Sequence, residues 1–327
     1  MSNNLFFKNV GPLKIRQILE KLSLTITTNI DKNKLVHNFS SLVDANKNDI
    51  TFFNSIKYKN EAESTNAFVC ITKKELIKFL PKTCVSIASK NVLMHAAKIA
   101  GLFYPKSVTD MPNKHLRSIN EIYKGDCGKN SFVGNNVKIG EGTSIGSNSI
   151  IEDNVIIGRN CIIGSNIIIR NTIIEDNVHI LDSAIIGKKG FGFLPINNQN
   201  FRFPHIGYVL IKKNCEIGAS TTIDRGSFSS TIIGDNTFID NQVHIAHNVK
   251  IGKNCIIAGQ VGIAGSAILG DNVMIGGQAG ISGHLKIGNN VKIGGGSGVL
   301  KNLPDNSNVM GYPAKDIRKF IKENKNV

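Results

Sequence analysis

The chain contains no tryptophan, and only 6% of its 327 residues are aromatic. Large rings fill the wide cores of conventional globular domains, so their scarcity points to a narrow interior filled by aliphatic side chains. No stretch approaches the roughly 18 consecutive apolar residues of a membrane span. The first residues, Met-Ser-Asn-Asn-Leu-Phe-Phe, lack a basic region and a long apolar segment, so no signal peptide is expected. None of the six cysteines (Cys70, Cys84, Cys127, Cys161, Cys215, Cys255) forms a CxxC pair. Cys161, Cys215 and Cys255 each follow a periodic aliphatic by four places, where Thr143, Ser149 and Val155 stand elsewhere. They read as small core fillers rather than disulfides or metal ligands, which fits a reducing cytoplasm.

What is present is a repeat. From Ile233 to Val299 every sixth residue is aliphatic, twelve positions in succession. A shorter run, Val133 to Ile169, precedes it, and Ile174, Ile180 and Ile186 continue that run in a shifted phase. A helix would place residues i and i+6 roughly 240° apart, and a single strand alternates every second residue. A six-residue period describes a solenoid whose short straight sides each point one aliphatic inward. The residue after each aliphatic is usually small, as at Gly234, Ala246 and Gly252, which suggests a corner there. With three hexads to a coil, the fold is a parallel β-helix over 125–303.

Residues 1–124 lack the hexad and read as a small α/β domain. A helix is expected near 13–19, strands at 67–71 and 85–88, and a second helix from Asn91 to Gly101. This segment holds 19 basic and 9 acidic residues, much of the formal charge of +15. Without a basic stripe interleaved with aromatics, the excess does not point to nucleic acid; an acidic protein, an acidic membrane face or a plain Lys- and Asn-rich compositional bias are the other readings. Register is lost over 188–208, a stretch with four of the sixteen phenylalanines, and again over 224–232. Insertions in a solenoid leave the coil as loops, often on the binding face. Beyond 303, residues 304–327 form a turn and then a helix over 314–323, with Ile317, Phe320 and Ile321 on one side, expected to cap the open end.

Chemistry falls to polar residues the repeat does not need. Two histidines, His244 and His247, stand three apart in Asp240-Asn241-Gln242-Val243-His244-Ile245-Ala246-His247-Asn248, and His284 follows. His247 and His284 are 37 residues apart, two coils and one residue. That places them on one side, on the order of 10 Å apart at the usual strand spacing. They are too far apart to bond, and well placed to bracket one substrate with a base and a charge-stabilising group.

These segments, with Gly190-Phe191-Gly192-Phe193 and Thr222-Ile223-Asp224-Arg225-Gly226, closely resemble the UDP-3-O-(3-hydroxyacyl)glucosamine N-acyltransferases of lipid A biosynthesis. The resemblance covers nearly the whole chain. It implies a left-handed β-helix, a homotrimer, and a 3-hydroxyacyl chain delivered as a thioester on acyl carrier protein. The acceptor would be the 2-amine of a UDP-linked, 3-O-acylated glucosamine. It implies His247 as general base and His284 as the group that stabilises the oxyanion or positions substrate, with Asp240, Asn241, Gln242 and His244 in support around the substrate. In Thr51-Phe52-Phe53-Asn54-Ser55-Ile56-Lys57-Tyr58 it implies uracil stacking between Phe52 and Tyr58. The family often has Asn where Ser55 stands, and here Asn54 lies one place earlier. Gly295, Gly296, Ser297 and Gly298 would line the acyl pocket, all small where some relatives carry methionines, which implies room for a longer chain. Lys315, Arg318, Lys319 and Lys322 would dock the acidic carrier. No metal or resident cofactor is implied, the 4′-phosphopantetheine arriving on the carrier. The location would be cytoplasmic, with transient contact at the inner membrane surface. Other readings are a β-helix UDP-sugar O-acyltransferase or acetyl-CoA-dependent sugar N-acetyltransferase, a zinc lyase with His244, His247 and His284 as ligands, and a non-enzymatic scaffold.

Overall fold

The computed structural model describes residues 4–24, 30–109, 111, 113–196 and 198–324. The chain divides into two compact units, one of residues 1–110 with 192–206, the other of 111–191 with 207–327. Part of the stretch that leaves the hexad register therefore groups with the N-terminal residues.

In the second unit three sheets of ten, ten and eight strands form the three sides of a coil, parallel except for one antiparallel strand at the end of each ten-stranded sheet. The register is the repeat made visible: Ile251 pairs with Leu269 and Ile257 with Ile275, 18 residues on. Where the hexad slips, Ile157 pairs with Ile174 instead. Ile186 pairs with Ile223 across the long excursion, and Ile223 with Ile245 across the short one, 22 residues rather than 18. Two side chains per hexad point inward. Ile251, Cys255, Ile257 and Val261 are all at most 3% exposed. The cysteines are core fillers here, with Cys255 Sγ donating to the Gly270 carbonyl at 3.3 Å. All six are free thiols.

The corner lies elsewhere than expected. The left-handed residue is three places after the aliphatic, not one: Asn254, Gln260, Ser266 and Asn272 have φ of 55°, 60°, 63° and 58°. Asparagine tolerates this region better than most side chains because its amide bonds locally. The residue directly after the aliphatic is small for another reason, the closeness of the next coil. A Cβ on Gly234 would lie 2.3 Å from the Gly252 carbonyl oxygen. Corner amides also stack into ladders, as where Asn236 Nδ2 donates to Asn254 Oδ1 at 2.9 Å and Asn254 Nδ2 to Asn272 Oδ1 at 3.2 Å.

The coil ends in a strand rather than under a helix. Val309 and Met310 pair antiparallel with Asp316 and Lys315, covering the edge of one ten-stranded sheet. The helix that follows is short, Ile317–Glu323, and capped by the Asp316 carboxylate, which accepts from Arg318 and Lys319 N–H. None of its residues is buried, and Ile321 is 55% exposed. Ile317 and Phe320 are half-buried where the helix packs on the last two strands, so its expected apolar stripe covers the end of the coil only in part.

The first unit holds a four-stranded parallel sheet in the order Asn38–Phe39, Asp49–Phe53, Val69–Thr72, Val85–Ala88. The helix Ile15–Leu22 buries Ile15, Ile18, Leu19 and Leu22, as its spacing predicts. The helix Val92–Phe103 runs through Gly101 and stops before Pro105, whose ring disfavours helical backbone in the residue preceding it. Asn91 stands at its N-cap without a side-chain cap bond. Phe193–Ile196 pairs antiparallel with Gln199–Arg202.

If the left-handed corner sets the cost of substitution, Asn254→Ala loses about 1–2 kcal/mol of stability and Asn254→Gly roughly half that or less. Thermal midpoints of the two variants check it; equal losses would assign the cost to the amide ladder instead.

Candidate active site

Four coils stack one face of the β-helix: strands His244–Ile245, Gly262–Ile263, Gly280–Ile281 and Gly298–Val299 pair in register. In each, the first residue points outward. Below His244 the outward column is glycine, and a Cβ at Gly262 or Gly280 would meet nothing within 4 Å. The floor is therefore bare backbone. One edge is a ladder of glutamines, Gln260 donating to Gln242 at 2.9 Å and Gln278 to Gln260 at 2.8 Å. The other edge carries the histidines.

His247 stands one residue before its corner. Its imidazole lies over Gly265, where a Cβ would come within 2.7 Å of Cε1 and 2.8 Å of Nε2. His284 occupies a corner itself, with φ of 61°. Coil hydrogen bonds fix their separation: Ser266 N donates to His247 O, and His284 N to Gly265 O. The two histidines thus share an edge two coils apart, offset by one residue, as counting along the repeat predicts.

Asn248 decides which nitrogen of His247 is basic. Its Nδ2 donates to the Ser229 carbonyl at 3.1 Å and to Ser229 Oγ at 2.7 Å. Its Oδ1 accepts from Ser227 N–H at 3.0 Å and Ser227 Oγ at 2.8 Å. A carbonyl only accepts and a backbone N–H only donates, so the amide has one possible orientation. His247 Nδ1, 2.9 Å from the same Oδ1, must then carry a proton and donate it. The lone pair is on Nε2. Ser227 and Ser229 lie in the second register break, so that insertion is the support of this amide. Sequence reasoning missed it; the signal was the four-residue excess between Ile223 and Ile245.

His244 Nδ1 lies 2.8 Å from Thr222 Oγ1, and its Nε2 is 3.9 Å from Asp224 Oδ2. Burial, and then the nearby His247, hold the His244 pKa below its ordinary value. Asp224 has only 12% of its side chain exposed. Burial drives its pKa up to about 7, against the pull of Arg225. Arg225 is itself buried and donates to the Gly187 carbonyl at 3.1 Å.

The remaining expected residues fall at several places. Asp240 and Asn241 turn into their own corner: Asp240 Oδ1 accepts from Asn241 N–H, and Asn241 Oδ1 from Ala219 N–H. Gly296 is left-handed, with φ of 64° and open space around it, at the position where the glutamine ladder stops. Gly295 lies against the backbone of the preceding coil, 3.3 Å from the Gly277 carbonyl oxygen at its Cβ position. Ser297 points into the coil, 1% exposed, and accepts from Gly311 N–H at 3.2 Å, which removes it from the outer face. Gly298 is covered by the Tyr312 ring, 2.0 Å from its Cβ position. Lys315 pairs with Glu323, while Arg318, Lys319 and Lys322 are exposed. In the N-terminal unit Phe52 stacks on Phe39 at 5.9 Å and meets the edge of Phe203, from the hairpin stretch, at 6.5 Å. Tyr58 is 42% exposed, and Ser55 caps the short turn Ile56–Tyr58.

Gly265→Ala displaces the His247 ring but leaves the coil intact, so we expect the transfer rate to fall on the order of 10²-fold with an unchanged thermal midpoint. A full rate would show that the ring position does not matter. Asp224 has a raised folded pKa, so the fold favours its protonated form. The stability this provides is complete below the ordinary value of 3.8 and is lost as pH rises through about 7. Asp224→Asn should therefore be more stable than the parent by an amount growing from pH 4 to pH 7, to about a few kcal/mol. Thermal midpoints across that range that run parallel would refute it.

Similarity to known proteins agrees with this architecture. Bacterial transferase hexapeptide repeats match residues 130–166, 230–265 and 266–301, and a hexapeptide repeat of succinyl-transferase matches 154–181. The family described as UDP-3-O-(3-hydroxymyristoyl) glucosamine N-acyltransferase matches residues 33–102. UDP-3-O-acylglucosamine N-acyltransferase 2 of Legionella pneumophila is 38% identical over 256 residues, 77% of this chain and 74% of its own. The corresponding enzyme of Rickettsia bellii is 40% identical over 261 residues, 77% and 75% of the two chains. Among solved structures, LpxA from Acinetobacter baumannii superposes with a TM-score of 0.54 at 27% identity, over 62% of this chain and 78% of that one. The UDP-N-acetylglucosamine acyltransferase from Campylobacter jejuni gives 0.52 and 26%, over 61% and 78%. The expected left-handed parallel β-helix stands. With both the hexapeptide coil and the N-terminal match in place, the chain belongs to the UDP-3-O-acylglucosamine N-acyltransferase family, N-acyltransferases of lipid A synthesis.

Proposed function

We propose that the chain moves a 3-hydroxyacyl group from an acyl carrier protein thioester to the 2-amine of UDP-3-O-(3-hydroxyacyl)glucosamine, with His247 as general base. The observation that carries this is the fixed amide of Asn248, which leaves Nε2 as the basic atom of His247. The amine nitrogen attacks the thioester carbonyl while Nε2 takes its proton. The tetrahedral intermediate then expels the thiolate of the 4′-phosphopantetheine arm, which leaves as a thiol on receiving that proton. His284, two coils along the same edge, is the group we assign to the oxyanion or to substrate positioning.

The glycine-floored face supports a path for the acyl chain, since an extended hydrocarbon can lie on backbone that carries no side chain. Gln242 and its ladder form the far wall, with Asp240 and Asn241 holding that corner. Gly295, Gly296 and Gly298 lie at the lower end, where Tyr312 covers Gly298. We assign uracil binding to Phe52 and Tyr58 in the N-terminal unit. Carrier docking is assigned to the exposed Arg318, Lys319 and Lys322, with Lys315 shared with Glu323. Trimeric assembly, a cytoplasmic location and transient membrane contact complete the proposal. No described helix is long and apolar enough to cross a membrane.

Transfer to the UDP-3-O-acylglucosamine acceptor should drop by at least about 10²-fold in His247→Ala, with folding unchanged. Full activity in that variant would remove the proposed base. Offering acetyl-CoA beside the carrier thioester separates this reading from a sugar N-acetyltransferase.

A further inference from the structure

The proposed reaction has one more proton than His247 can handle. An amine with a pKa near ~8 is mostly ammonium at neutral pH and cannot attack until it loses a proton. On attack it loses a second, which His247 takes and returns to the departing sulfur. The first proton needs another acceptor.

We propose that His244 is that acceptor, and that Asp224 behind it is the positioning residue that holds the resulting imidazolium. This rests on the N-acyltransfer reading above. His244 precedes His247 by three residues, at the head of the glycine-floored face, with half its side chain exposed. Thr222 and Asp224, from one strand, address its two ring nitrogens, at 2.8 Å and 3.9 Å. The backbone of Asp224 is anchored by Thr231 Oγ1, which donates to its carbonyl at 2.7 Å. Arg225, next to it, directs Nη1 to the Gly187 carbonyl.

The electrostatics suit the task. Burial keeps His244 neutral and able to accept near pH 7, and holds Asp224 near its own midpoint. The charged groups around the pair are Arg225 beside Asp224, His247 beside His244, and Lys188 and Lys189 on the paired strand Ile185–Lys189. Strands Gly262–Ile263, Val209–Ile211 and Thr231–Ile233 bring no titratable side chain. Charge on one imidazole opposes charge on the other, so a bare His244 cation would weaken His247 as a base. A carboxylate behind His244 cancels that charge. The ammonium N–H bond breaks and an N–H bond forms at His244 Nε2, since Nδ1 is engaged by Thr222 and Nε2 lies 3.9 Å from the Asp224 carboxyl. His247 then carries the second proton from nitrogen to sulfur and ends unchanged. The net proton leaves to solvent from the exposed edge of His244.

The test is the pH dependence of kcat/KM for the acceptor, from pH 6 to 9, in the parent, Asp224→Asn, His244→Gln and His247→Ala. We expect Asp224→Asn and His244→Gln to lose about ten-fold near pH 6.5 and to approach the parent by pH 9, where the amine arrives neutral. His247→Ala should lose activity at every pH. A pH-independent loss in Asp224→Asn and His244→Gln, or no loss at pH 6.5, overturns the relay while leaving His247 as base. Full activity in His247→Ala instead overturns the underlying reading. Thermal midpoints confirm folding. Should Asp224→Asn not fold, half-exposed His244→Gln carries the same comparison.

Discussion

The whole molecule depends on the hydrogen-bonded contact between one coil and the next, about 4.8 Å away. That spacing favours a small residue after most of the aliphatics, because the neighbouring coil leaves no room for a Cβ at Gly234, Gly252 or Gly270. It also converts distance along the chain into position in space. Residues 18 apart stack, so a histidine at any place in a hexad has a defined height and side. The corner needs a left-handed residue, which asparagine supplies most often. These requirements are local and repeated, so they leave few choices in the coil and many on its outer face.

Function exploits the places where the rule relaxes. The four residues added between Ile223 and Ile245 carry Ser227 and Ser229 out of the coil. They clamp Asn248 from both ends of its amide. The acceptor on His247 Nδ1 is consequently neutral. A carboxylate there would stabilise the imidazolium and raise the pKa, which helps a base take a proton and hinders it from giving the proton back. In the proposed reaction the same group must do both. An amide that sets the tautomer without adding charge suits a shuttle better than a sink.

How much of this was legible before the fold depended on whether a feature is periodic. The three-sided coil, the inward Ile and Cys positions and the common edge of His247 and His284 all follow from counting. The corner does not: small residues after most aliphatics imitate a turn signal, while the left-handed residue is Asn, Gln, Ser, His or Gly and has no single identity. The C-terminal stripe Ile317, Phe320, Ile321 reads as a cap, yet the edge is closed by Lys315 and Asp316, whose pairing no side-chain pattern announces. Asp224 was visible only as part of a motif. It is buried where its strand pairs Asp224 with Lys188 across the long excursion, a tertiary fact absent from the local sequence.

Asp224 and Gly265 point to one trade. A buried carboxyl with a pKa near 7 costs the fold stability at neutral pH, and an asparagine of the same shape would avoid that cost. A bare glycine under His247 leaves the room the imidazole needs and loses more chain entropy on folding than alanine would. Neither is required by the coil. The place just before a left-handed corner, held here by Gly265, is taken by Lys253, Asp271 and Asn289 elsewhere. The place after the inward aliphatic, held by Asp224, is taken by Ala246 and Ala264 in the next two coils. Unfavourable choices kept beside the same imidazoles mark where folding and chemistry make opposing demands.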